Sequence, residues 1–219
     1  KDLDKMLELG HVNIYMFEGG TNFGFMNGSN YYDELTPDVT SYDYDGVLTE
    51  SGDITEKYRR YQEVIRKYAP IPEVTYSTKI EKKAYGTLTA DAKVGLFESL
   101  EELSAPVKCK FPTSMERLGQ NYGYILYHTK LEKEQNLEKI RLYEANDRAN
   151  LFVDQKPLVT LYDRQLLSEA KAGEDFAKED GKPVTFKKGA PLDILVENMG
   201  RVNFGPRMEH QRKGIDGHV

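Results

Sequence analysis

Tyr15-Met16-Phe17-Glu18-Gly19-Gly20-Thr21-Asn22-Phe23-Gly24-Phe25 decides how the first part of this chain is read. Val12 to Phe17 is a short apolar run, which suits a strand buried on both faces of a parallel sheet. The Gly19-Gly20-Thr21-Asn22 that follows suits a strand end opening into a polar pocket. Upstream, Leu3, Met6 and Leu7 fall at i, i+3 and i+4, and Gly10 stands where a helix C-cap would, so residues 1–9 read as the last turns of a helix. Downstream, residues 18–52 read as a loop rich in Gly, Asn, Asp and Tyr. It is far longer than a usual connection, and such loops are commonly functional. Helix signals resume at Asp53, an N-cap candidate with Glu56 three residues on; Tyr58, Tyr61, Ile65 and Tyr68 mark one face, and Pro70 ends the run. Helix, strand, loop and helix make one β/α unit with the preceding helix attached.

After Pro70-Ile71-Pro72 the texture changes to short alternating runs separated by turn residues. Residues 1–70 are therefore expected to form one domain region, 71–83 a linker and 84–219 a second domain. Expected strands are Tyr85–Leu88, Tyr122–Thr129, Ile140–Tyr143, Ala149–Val153, Leu158–Tyr162, Val184–Phe186 and Leu192–Val196, the pattern of a β-sandwich or jelly roll. Lys171 to Lys182 reads as an exposed turn. No internal repeat or low-complexity tract is present.

Composition narrows the function classes. The 219 residues carry a formal charge of −6 with no basic stripe, which argues against a nucleic-acid partner. No apolar stretch reaches the roughly 18 to 20 residues that span a bilayer, so no membrane partner is expected. Cys109 is the sole cysteine, which excludes an internal disulfide and a Cys-rich zinc site. It fits a cytoplasmic setting, while a cell-surface or secreted one stays open. His11, His128, His210 and His218 form no i, i+4 ligand pair, so no metal site is expected, and nothing calls for a cofactor. Neither a Ser/His/Asp set nor a phosphate-cradling glycine loop is present.

The run from Tyr15 to Phe23, with Ser41-Tyr42-Asp43-Tyr44-Asp45 further on, resembles glycoside hydrolase family 35, the beta-galactosidases. Asn146 to Asp154 and Val196 to Gly205 are similar to further family signatures. The resemblance implies a multi-domain α+β fragment: the last β/α unit of a (β/α)8 TIM barrel, then a β-sandwich similar to the galactose-binding jelly roll, with both ends cut. It implies part of a retaining enzyme that hydrolyses terminal β-galactosyl residues, whose two catalytic glutamates lie roughly 5 Å apart on earlier strands. No catalytic residue is then expected in this chain, and the isolated chain is expected to be inactive. The partners implied are a galactoside substrate and a missing barrel segment or oligomer partner to cover the apolar faces.

Within that frame the resemblance makes Tyr15 and Tyr44 substrate contacts. A core tyrosine and a loop-pinning aromatic are the respective alternatives. Glu18 and Asn22 are possible pocket-lining residues, although Asn22 and Asn13 equally suit turns. Asp43 and Asp45 are expected to cap turns or order the loop. In the second domain, Asp147 with Arg148 and Glu197 with Arg201 read as structural ion pairs, and Tyr122, Tyr124 and Tyr127 as sandwich packing. The competing readings are a non-catalytic carbohydrate-binding module and a structural β-sandwich.

Overall fold

The structure, a computed structural model, describes residues 1–73, 81–176, 185–209 and 211–219. Its elements run α1 (Asp2–Leu9), β1 (Gly28–Tyr31), β2 (Leu35–Pro37), α2 (Glu56–Ile65), α3 (Leu100–Leu103) and β3 (Gly123–Lys130). They continue with β4 (Gln135–Asn136), β5 (Lys139–Ile140), β6 (Ala145–Asn146), β7 (Arg148–Val153) and β8 (Lys156–Tyr162). The last are β9 (Ala170–Lys171), β10 (Thr185–Phe186), β11 (Pro191–Asn198), β12 (Arg201–Phe204) and β13 (Gly214–Ile215). Packing divides the chain into two units, residues 1–23 with 40–90 and residues 24–39 with 91–219.

In the first unit, α1 ends as its spacing predicts, with the Gly10 N–H donating to the Met6 carbonyl at 3.0 Å. Helix α2 starts later than expected, because Thr55 and not Asp53 is its cap. The Thr55 hydroxyl accepts the Tyr58 N–H at 3.2 Å and donates to the Val47 carbonyl at 2.5 Å, which ties it on both sides. The Asp53 carboxylate instead takes the Lys82 ammonium and the Ser51 hydroxyl. Asp4 joins the two helices, accepting from Lys67 at 2.9 Å and from the Tyr68 hydroxyl at 2.8 Å. These bonds lower the Asp4 carboxyl and push the Tyr68 phenol up to about 12.

The strand expected over Val12–Phe17 does not form. Residues 11–14 have no regular structure and 15–17 make a turn and bend. A parallel strand exists only where neighbouring strands take its backbone groups, and the Phe17 carbonyl goes elsewhere, accepting Val47 N–H at 2.8 Å and Leu48 N–H at 3.0 Å. No closed barrel forms among the described residues.

The second unit reclaims part of what reads as a loop. Within 18–52, β1 and β2 form an antiparallel hairpin, and β1 also runs parallel to β12 with Gly28 opposite Arg201 and Ser29 opposite Val202. Tyr31, Leu35 and Val202 form its small core. The hairpin is bolted down at Leu35, whose carbonyl accepts from the Tyr162 hydroxyl at 2.9 Å and whose N–H donates to Asp163 at 3.2 Å.

The main sheet is antiparallel in the order β3-β11-β7-β8. Register puts Val196 opposite Ile125 and Ala149, and Ile194 opposite Tyr127 and Leu151, so one face carries the apolar side chains. Against that face lie Ile140, Leu142, Leu166, Ala170, Phe176 and Ile215, closing a core in which Ala149, Val196 and Ile215 are fully buried. The short pairs β5-β9 and β6-β13 frame its other side.

The strands expected over Tyr122–Thr129, Ala149–Val153, Leu158–Tyr162 and Leu192–Val196 correspond to β3, β7, β8 and β11. Tyr85–Leu88 is not a strand: Gly86 sits at φ +75 and Leu88 is 82% exposed, so the run neither extends nor buries a face. Ile140–Tyr143 pairs only at Lys139–Ile140. Of Val184–Phe186, Thr185–Phe186 pairs with β4, and Val184 lies outside the described residues. Lys171 pairs in β9, residues 173–175 form a turn, and residues 177–182 lie outside the described residues.

Candidate functional site

The two motifs singled out in the sequence meet in the first unit. Residues 17–22 and 40–48 are laced by the Asn22 N–H to the Thr40 carbonyl at 2.6 Å and the Tyr42 N–H to the Gly20 carbonyl at 3.1 Å, with a bridge between Thr21 and Ser41. Gly19 permits this approach. A β-carbon there would lie 2.0 Å from the Tyr42 carbonyl oxygen.

The lacing brings three tyrosines together, Tyr15 and Tyr44 exposed and Tyr42 half-buried between them. The Tyr15 and Tyr42 hydroxyls are 2.8 Å apart, and the Tyr42 ring meets the Tyr44 ring edge-on at 5.2 Å. Tyr15 is 77% and Tyr44 66% exposed in this chain. Tyr42 escapes the sequence reading, yet its signal is there: in an extended loop, residues 42 and 44 project to the same side.

Three carboxylates around this rim are engaged. Asp43 accepts the Gly46 N–H at 3.0 Å, and Asp45 pairs with Lys57 at 2.5 Å, the loop-ordering roles expected of them. Glu50 accepts the Thr21 hydroxyl at 2.5 Å. Glu18 is half-buried beside Gly20, whose absent β-carbon would stand 3.6 Å from Glu18 Oε1. Asn22 is half-buried on the laced segment, while Asn13 is exposed. Among the described residues no group of three or more His, Cys, Asp and Glu side chains is gathered as a metal would need.

The ion pairs of the β-domain differ from those expected. Asp147 lies at the bend between β6 and β7 and does not pair with Arg148. Arg148 instead faces Glu197 directly across the ladder, 3.6 Å away. Arg201 goes to Glu116 at 2.7 Å and to the Asn121 carbonyl, and Asp147 takes Lys213. Tyr127 packs inward as expected, while Tyr124 meets Phe25 edge-on at 5.2 Å.

Residues 1–68 match the family described as glycosyl hydrolases family 35, and residues 112–219 match the domain described as beta-galactosidase, first all-beta domain. Residues 1–68 are thus a glycosyl hydrolases family 35 region. It is 37% identical over 209 residues to the beta-galactosidase of Bos taurus, covering 93% of this chain and 30% of that protein. It is 38% identical over 199 residues to the human beta-galactosidase, covering 89% and 27%, and 36% identical over 214 residues to the human beta-galactosidase-1-like protein 2, covering 95% and 31%. The chain thus spans less than a third of the length of these relatives. The tyrosine rim falls inside the family 35 match, and the Asp147–Lys213 pair inside the all-beta match.

Proposed function

We propose that this chain is one rim of the substrate site, with the adjoining β-domain, of a retaining beta-galactosidase that hydrolyses terminal β-galactosyl residues of oligosaccharides. The observation that carries this reading is the convergence of Tyr15 and Tyr44 on one exposed rim within the segment matched to family 35. Residues 1–70 supply the last β/α unit of a TIM barrel and 71–83 link to a β-domain at 84–219; by packing, 24–39 cluster with that domain and 84–90 with the first unit. Preceding strands of that barrel take the backbone groups of Val12–Phe17 and cover the apolar face of α2.

The chemistry then divides between segments. Retention needs an acid/base carboxyl and a nucleophilic carboxylate about 5 Å apart across the anomeric carbon. Asp43, Asp45 and Glu50 are committed to the loop and Glu18 lines the pocket, and the family resemblance assigns both groups to glutamates on earlier strands. The Tyr15 hydroxyl reaches a sugar oxygen or that nucleophile, the Tyr44 face orients the galactosyl ring, and Glu18 and Asn22 line the pocket. The names of the relatives support galactosides as the substrate class.

The test is hydrolysis of a chromogenic aryl β-galactoside by the chain alone and mixed with a fragment carrying the preceding barrel strands. No turnover alone with turnover in the mixture is expected. Turnover by the chain alone, abolished by Glu18→Gln, would place the catalytic carboxylate here and overturn the assignment.

A further inference from the structure

We infer that Tyr42 is a positioning residue that sets the geometry of both Tyr15 and Tyr44, an inference that rests on reading those two as substrate contacts. Tyr42 touches both. Its hydroxyl is 2.8 Å from the Tyr15 hydroxyl, and its ring stands at 63° to the Tyr44 ring with centroids 5.2 Å apart.

Two features make this more than proximity. The Tyr42 backbone is fixed, because its N–H donates to the Gly20 carbonyl at 3.1 Å and its own carbonyl fits over Gly19, where any β-carbon would intrude at 2.0 Å. The tyrosines it serves have little else to hold them: both are more than half exposed, and an exposed aromatic on a loop otherwise samples several rotamers. A hydroxyl held at one place lets Tyr42 donate to the Tyr15 oxygen and leaves the Tyr15 proton free for a sugar oxygen. A donor already accepting a hydrogen bond is itself strengthened. The edge-on contact meanwhile fixes the plane of Tyr44, the coordinate that matters for stacking on a sugar ring.

The hydroxyl and the ring thus have separable jobs, which two substitutions resolve. Tyr42→Phe removes the bond to Tyr15 and keeps the edge against Tyr44; Tyr42→Leu removes both. In the reconstituted hydrolase, Tyr42→Phe should lower kcat/KM for an aryl β-galactoside about five-fold, the size of one net hydrogen bond, with no change in Tm. Tyr42→Leu should lower it further. Wild-type kcat/KM in Tyr42→Phe, or a loss matched by a fall in Tm, would overturn the positioning role.

The chain by itself gives a second reading through the ring proton resonances of Tyr15 and Tyr44. Tyr42→Phe should move those of Tyr15 only, and Tyr42→Leu those of both. Unmoved resonances overturn the inference whatever the enzyme does. If the wild-type mixture hydrolyses nothing while the resonances move as stated, the hydrolase assignment falls and the positioning of the two rings by Tyr42 stands.

Discussion

The Lys213 ammonium lies 2.7 Å from both oxygens of the Asp147 carboxylate, and their side chains are 0% and 2% exposed. Lys213 also donates to the Gly200 carbonyl at 2.9 Å, and Asp147 accepts the Met199 N–H at 2.9 Å. One pair therefore clips the segment before β13 to the turn between β11 and β12. Burial raises the Asp147 carboxyl and lowers the Lys213 ammonium, each against the attraction of the other.

Removing one member of such a pair leaves a buried charge without its partner, which costs about 3–5 kcal/mol. Lys213→Met should therefore lower the urea midpoint of the β-domain sharply. Adding Asp147→Leu should recover part of the loss and not all of it, because the Met199 N–H then lacks its acceptor, at about 1–3 kcal/mol. A double variant less stable than Lys213→Met would contradict this.

Thr55 and Asp53 separate the observed cap of α2 from the one expected of the sequence. Thr55→Ala should cost about 1 kcal/mol, the usual value of an N-cap, read as reduced helical signal and a lower Tm. Asp53→Ala removes contacts to Lys82 and Ser51 but leaves the cap in place, so it should reduce the helical signal less than Thr55→Ala does. The reverse order would restore Asp53 as the cap.

Tyr127 gives the β-domain an alkaline limit. Its hydroxyl donates to the Thr113 carbonyl and accepts the Ile215 N–H, both at 2.8 Å, and burial pushes its phenol from 10.0 up to about 12. A phenol raised in the folded state contributes stability that is present below its unfolded value near 10 and is lost as pH rises toward 12. Tyr127→Phe should start less stable and lose stability less steeply over that window. A slope identical to wild type in urea titrations would remove Tyr127 from the linkage.

Much of the β-domain is legible because its register follows alternation. Ala149, Leu151 and Val153 alternate along β7 and are all buried. Helix α1 announces itself through Leu3, Met6 and Leu7. The hairpin is not legible, since Gly28-Ser29-Asn30-Tyr31 has no apolar alternation and its parallel partner Arg201–Phe204 is remote in sequence. Val12–Phe17 misleads for the opposite reason: an apolar run specifies burial, but a strand needs neighbours. Nor does Lys213 give any signal, because a lysine in Gln211-Arg212-Lys213-Gly214 reads as solvated surface. At the candidate site the motif singles out Tyr15 and Tyr44 as proposed contacts, while the contact through Tyr42 emerges only once residues 17–22 and 40–48 are laced together.

Leu35 tests whether the hairpin belongs to the β-domain. It is 4% exposed, packed in the cluster of Tyr31 and Val202. Leu35→Ala should cost about 2–5 kcal/mol, read as a lower urea midpoint of the β-domain. A midpoint unchanged from wild type would make the hairpin a detachable loop.

The rim itself is tested most directly by kcat/KM of the reconstituted protein toward an aryl β-galactoside with Tyr15→Phe and with Tyr44→Leu. If these residues contact the galactosyl unit, each substitution should lower kcat/KM about ten-fold, or roughly 1.4 kcal/mol of lost transition-state binding, while leaving Tm unchanged at these exposed positions. Turnover equal to wild type in both variants would contradict the account, because the rim would then touch no substrate.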